Sequence, residues 1–166
     1  MSEKPSPLFL IVLAGIGTGL LSPLNVNGIP VLVLVIPFAI IATRLHNAEA
    51  GIVVGVGASV LSGVLVHTIE FWNMVSYALA AAITILIYDA IYPKQKNDVS
   101  SLLFAALGVL VYEFMNELYL RETILFRPEI FSGTHPVLGI QLVASVIVTG
   151  LLLYHWNPTA TQTSKK

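Results

Sequence analysis

Residues 50–66 read Ala50-Gly51-Ile52-Val53-Val54-Gly55-Val56-Gly57-Ala58-Ser59-Val60-Leu61-Ser62-Gly63-Val64-Leu65-Val66. No position in the stretch is charged. Crossing a hydrocarbon core about 30 Å thick takes roughly 20 apolar residues in a helix, so the run has nearly the length of a membrane span. Within it Gly51, Gly55, Ser59 and Gly63 recur at every fourth position and share one helix face. Such a face lets another backbone approach closely, which is how helices associate among lipid tails that are as apolar as the side chains themselves. Val54 and Val60 are expected to point toward other surfaces. The reading fixes the fold class as all-α: a polytopic transmembrane helix bundle.

Outward from this stretch, five more apolar runs cover residues 8–24, 29–43, 71–92, 99–120 and 136–156. Together they give about six spans in a single integral membrane domain of residues 1–166. The breaks between them carry turn chemistry: Ser22-Pro23 with Asn25 to Gly28, then 44–49, 67–70, 93–98 and 121–135. Run 29–43 is short and holds Pro37, which predicts a kinked, weakly tilted or re-entrant segment. Residues 157–166 are polar and Thr-rich, and are expected to form a disordered cytoplasmic tail.

Apolar residues make up 56% of the chain and charged ones 10%, where soluble domains carry about 25% charged residues. A soluble domain is excluded by this balance. The cations are unevenly placed. With six spans, Lys4, Arg44, Lys94, Lys96, Lys165 and Lys166 share one side, against Arg121 and Arg127 on the other. The positive-inside rule makes the first side cytoplasmic, so both termini are expected there, in a multi-pass plasma (inner) membrane protein. The distribution carries topology, and no nucleic-acid surface is expected from it. Lys4 precedes the first run, but no A-x-A-like cleavage site follows, so this run reads as a retained helix. There is no cysteine, which removes thiol chemistry and disulfides.

Besides the third run, Gly15 and Gly19 form a shorter small-residue face, as do Ala78 and Ala82. Packing within the chain accounts for such faces. The sharper expectation is that Gly15 and Gly19, on a peripheral first helix, dock a helix of a partner membrane protein.

Charged side chains inside a span cost roughly 2.5–3.5 kcal/mol each at the bilayer centre on insertion scales. Glu113 and Glu117 lie one turn apart on the fifth run, with Asn116 beside them. One reading pairs Glu117 with Arg121 and gives Glu113 a neighbouring hydroxyl or amide. The other is a polar recess opening outward, formed by Glu113, Asn116, Glu117, His67 and His135. The histidines lack ligand spacing such as H-x-x-x-H, so no metal site is expected. Walker, G-x-S-x-G and H-E-x-x-H patterns are missing, so neither catalysis nor a cofactor is expected. Trp72, Tyr92, Tyr119, Tyr154 and Trp156 fall near the run ends, where aromatic belts form.

The segments Gly28-Ile29-Pro30-Val31-Leu32-Val33-Leu34, Ala50-Gly51-Ile52-Val53-Val54-Gly55 and Leu61-Ser62-Gly63 together resemble the bacterial rod-shape-determining MreD family. The shared pattern is a proline opening a short apolar helix, a small charged loop, a Gly-rich helix and a long apolar one. The resemblance covers about half of the chain. It implies a non-enzymatic scaffold that holds an MreC-like partner and the cell-wall elongation machinery, with a role in cell shape. The architecture is also similar to the S components of energy-coupling-factor transporters, whose first helix carries small residues resembling Gly15 and Gly19. That likeness implies capture of a small molecule or ion for transport. A third reading is an accessory subunit of another membrane complex.

Overall fold

The computed structural model describes residues 4–26, 29–30, 32–65, 71–92, 97–116 and 135–156, with backbone alone at 25–26, 29–30, 71–72 and 135–136. Six α-helices appear among them: α1 Pro7–Leu21, α2 Val35–Leu45, α3 Ala48–Leu65, α4 Phe71–Ile91, α5 Asp98–Phe114 and α6 His135–Trp156. The expected all-α bundle is observed. Three stretches are long and apolar enough to cross a membrane, namely Ala48–Leu65, Asn73–Ile91 and Val137–Trp156.

Local chemistry sets several helix starts. Ser6 accepts a hydrogen bond from Phe9 N, and Pro7 at the first helical position forfeits an N–H that needs no partner there. Asn47 caps α3 through Ala50 N at 2.8 Å. Asn97 and Ser100 cap α5 reciprocally, each side chain bonding the other's backbone N–H.

The second run departs from expectation. Residues 29–43 do not form one helix. Ile29–Pro30 pairs antiparallel with Asn25–Val26, and the helix begins only at Val35. The register is Asn25↔Pro30 and Val26↔Ile29, and the sequence between the two strands is Asn-Gly, the pair that two-residue hairpins favour most. Because α2 starts at Val35, Pro37 sits in its first turn, where a missing N–H breaks no helical bond. The kink expected from Pro37 has no cause there. At 11 residues α2 is about 16 Å long, and it is the most enclosed helix, with Arg44 its one residue that is not buried. The segment before it is enclosed too, with Val33 buried. Irregular backbone is tolerated at membrane depth where protein surrounds it.

Contacts at the helix ends fix the directions. Lys4 Nζ donates to the Leu45 carbonyl at 3.2 Å, so α1 begins where α2 ends. Arg44 pairs with Asp98, which places the start of α5 at that end. Tyr88 of α4 meets Ser101, and Leu153 near the end of α6 clusters with Ile41 and Leu45 of α2. Thus α1, α3 and α5 run one way and α2, α4 and α6 the other. The two ends of the bundle are called the Arg44 end and the far end below.

Candidate functional site

The bundle is apolar on its outside as well as in its core. Large apolar side chains stand exposed on α1 (Leu8, Leu20), α3 (Val53, Val64), α5 (Val99, Leu103) and α6 (Val143, Leu151), while Ser59, Ser62, Ser100, Ser101, Gln141 and Ser145 are buried. Exposed apolar surface on this scale has no place in water and is what a lipid environment solvates. This is a membrane protein.

Several buried hydroxyls are satisfied within their own helix. Thr43 Oγ1 donates to the Ala39 carbonyl at 2.9 Å, Ser59 Oγ to Gly55 at 2.7 Å and Ser62 Oγ to Ser59 at 2.8 Å. Back-bonding of this kind keeps a hydroxyl compatible with an apolar interior.

Toward the far end a different group gathers. Glu113 is 4% exposed, Asn116 8% and Gln141 1%. The Tyr77 and Tyr112 rings stack with centroids 4.5 Å apart. Between Asp98 and Glu113 the helix rises about 22 Å at 1.5 Å per residue. Register follows from Ser145 Oγ, which donates to the Ala105 carbonyl at 3.2 Å. Ala105, Val109 and Glu113 follow one another at every fourth position, and antiparallel α6 sets Gln141, one turn from Ser145, beside the Val109–Glu113 turn. At Met115–Asn116 the helix widens into a π turn, a feature frequent at functional sites. Glu113 and Asn116 of the expected recess are thus both buried and three positions apart in sequence, and Gln141, Tyr77 and Tyr112 are buried as well. Sequence reasoning missed Gln141, although an amide in the middle of an apolar run was the available signal.

The other expected members of the recess, Glu117 and His67, lie outside the described residues, as do Arg121 and the connection 117–134; His135 is described by its backbone alone as the first residue of α6. No group of three or more His, Asp or Glu side chains converges among the described residues.

The small-residue faces are occupied by the chain itself. A methyl group added at Gly55 would lie 2.5 Å from Ala81 Cβ of α4 and 3.4 Å from Ala39 Cβ of α2, so three helices meet there. At Gly51 it would strike Thr43, and at Gly63 the Met74 side chain. Gly15 and Gly19 are buried, and a methyl group added at Gly15 would lie 2.8 Å from the Leu61 side chain of α3. At Gly15 the face expected to dock a partner lies against α3. Val54 is another correction: it is buried, whereas Val60 faces outward.

At the opposite end Arg44 is bound instead of acting as a free loop cation. Its guanidinium reaches the Asp98 carboxylate and donates to Ser101 Oγ at 3.3 Å, and Tyr88 OH sits 2.8 Å from that same Ser101 oxygen. Three helices are thereby tied together. Sequence spacing carries no signal for a pair 54 positions apart. No family model, curated protein or solved structure matches the chain.

Proposed function

We propose that the chain is a non-enzymatic, six-span scaffold subunit of a membrane protein complex, seated in the plasma (inner) membrane with both termini cytoplasmic. The observation that carries this reading is the filled interior. An added methyl group at Gly15, Gly51, Gly55, Gly63 or Gly108 would approach a neighbouring helix's side chain to less than 3.0 Å. With the helices packed this closely along their length, the surfaces left for work are the outer ones. There α1, α3, α5 and α6 each carry exposed apolar ridges that another membrane helix can cover. The clustering of Lys4, Arg44 and the end of α6 at one end supports a common cytoplasmic side for the termini. The MreD resemblance makes an MreC-like protein the partner to look for.

Purification in mild detergent tests the reading. A membrane protein is expected to co-purify at fixed stoichiometry, and to be lost when Val143→Trp or Ile147→Trp alters the α6 ridge of a chain that still folds. A monodisperse chain with no companion at any detergent strength sinks the scaffold. The buried group around Glu113 favours a second reading, an S-component-like subunit that captures a small solute. Uptake of that solute, diminished tenfold or more in Glu113→Gln, would replace the first reading with this one.

A further inference from the structure

We propose that the outer surface of this chain fits a hydrocarbon core of about 24 Å, so that a bilayer of ordinary thickness, about 30 Å, thins around it and phospholipids with short acyl chains are preferred there. The partner is the lipid itself. The proposal goes beyond the scaffold reading and does not rest on it, since the fit belongs to the chain alone.

One water boundary is marked by charge. Lys4 reaches the Leu45 carbonyl, Arg44 holds Asp98, and Glu49 stands exposed in the first turn of α3, all at the Arg44 end. From there α1 has little height. Ser6 caps its start and Ser22 its end, and the rise between these two caps is about 24 Å at 1.5 Å per residue. After Ser22 the chain passes Pro23 into the Asn25–Val26 and Ile29–Pro30 pair, a sheet of two strands only among the described residues. The outer edges of such a pair keep N–H and C=O groups that hydrocarbon does not solvate, so this end of α1 belongs at water. Helix α4 measures the same height independently: from Asn73 to Asp89, both partly exposed, it also rises about 24 Å.

The outer apolar ridges agree with the caps. Large exposed side chains run from Leu8 to Leu20 on α1 and from Val53 to Leu65 on α3, about 18 Å in each, and from Ile140 to Tyr154 on α6, about 21 Å. Helix α6, with 22 residues, meets a thin core by tilting. A helix as short as α1 has no such remedy, because tilt only lowers it further. Nor does α1 slide along its neighbour to reach the far boundary. A methyl group added at Gly15 would lie 2.8 Å from Leu61 and one at Gly57 3.0 Å from Ile11, so the two helices interlock in both directions. What yields is the bilayer, which is softer than packed helices.

The first test is thermal unfolding of the purified full chain in phosphatidylcholine vesicles, with acyl chains chosen to give cores from about 22 to about 34 Å. The midpoint is expected to be highest near a core of about 24 Å and lower by roughly 4–8 °C at about 30 Å. A midpoint that is flat across the series, or highest in cores of about 30 Å or more, overturns the proposal. The second test locates the boundaries. The chain has no cysteine, so one introduced cysteine carries a spin label at one place. In a core of about 30 Å, labels on Leu8→Cys and Leu20→Cys, both outward-facing, are expected to lie at depths below their nearer boundaries that add up to about 6 Å. Depths adding up to about 12 Å mark an undistorted bilayer and overturn the thinning. The wild-type series decides alone if a labelled variant fails to fold.

Discussion

Arg44, in the last turn of α2, binds the Asp98 carboxylate in the first turn of α5 and shares Ser101 with Tyr88 of α4. The pair joins the C-terminal end of the most enclosed helix to the N-terminal end of another. Each charge also lies at the end of its helix that the backbone dipole favours.

The strength of this tie is limited by exposure, because the Asp98 side chain is 55% exposed and water screens the attraction. Arg44→Ala is expected to lower stability by about 1 kcal/mol and Asp98→Asn by less. A double-mutant cycle by unfolding in micelles should give a coupling below about 1 kcal/mol that shrinks with added salt. A coupling of several kcal/mol would show a far drier pair than the geometry describes.

Gly55 and Gly63 share a stripe but differ in what faces them. Ala81 Cβ, rigid on α4, blocks a methyl group at Gly55, while the obstacle at Gly63 is the flexible end of Met74. Gly55→Ala is expected to cost about 1–3 kcal/mol, as overpacking does, and Gly63→Ala clearly less. Val60→Leu, on an outward face, should be neutral. Folded yield from size-exclusion profiles together with unfolding midpoints measures all three. Equal loss at Gly55 and Val60 would contradict the three-helix junction.

Pro37 makes the position of the α2 start testable. In the first turn its missing N–H costs nothing, so Pro37→Ala should change stability by no more than about 1 kcal/mol. Ala42→Pro, whose ring would meet the preceding turn, is expected to cost about 3 kcal/mol or more. Comparable loss in the two variants would restore a helix that begins well before Val35.

Topology is checked by fusing to Lys166 a reporter that is active only outside the cytoplasm. No activity is expected there. A fusion following Gly28 should be active, since α1 ends at the far end of the bundle. Activity at Lys166 would mean an odd number of crossings with a cytoplasmic start.

Residues 50–66 and the other long runs determined by themselves that the chain is a membrane helix bundle, because uncharged length is a local property. The four-residue spacing of Gly51, Gly55, Ser59 and Gly63 likewise marked a packing face. Glu113 stood out as a buried polar candidate because charge inside an apolar run is legible one residue at a time. The short reach of α2 was legible in part: Asn27-Gly28 carried the hairpin signal, though a continuous apolar run hid it.

Tertiary structure alone decided which neighbour fills each face, that Val54 is buried while Val60 is not, that Gly15 rests on Leu61, and that Arg44 finds Asp98. The reason is physical. In a lipid-bathed bundle both the interior and the outer surface are apolar, so hydrophobic periodicity no longer tells inside from outside. What separates them is the fit of small residues against particular partners, and pairs such as Arg44 with Asp98 and Tyr77 with Tyr112 become neighbours only when the helices are assembled.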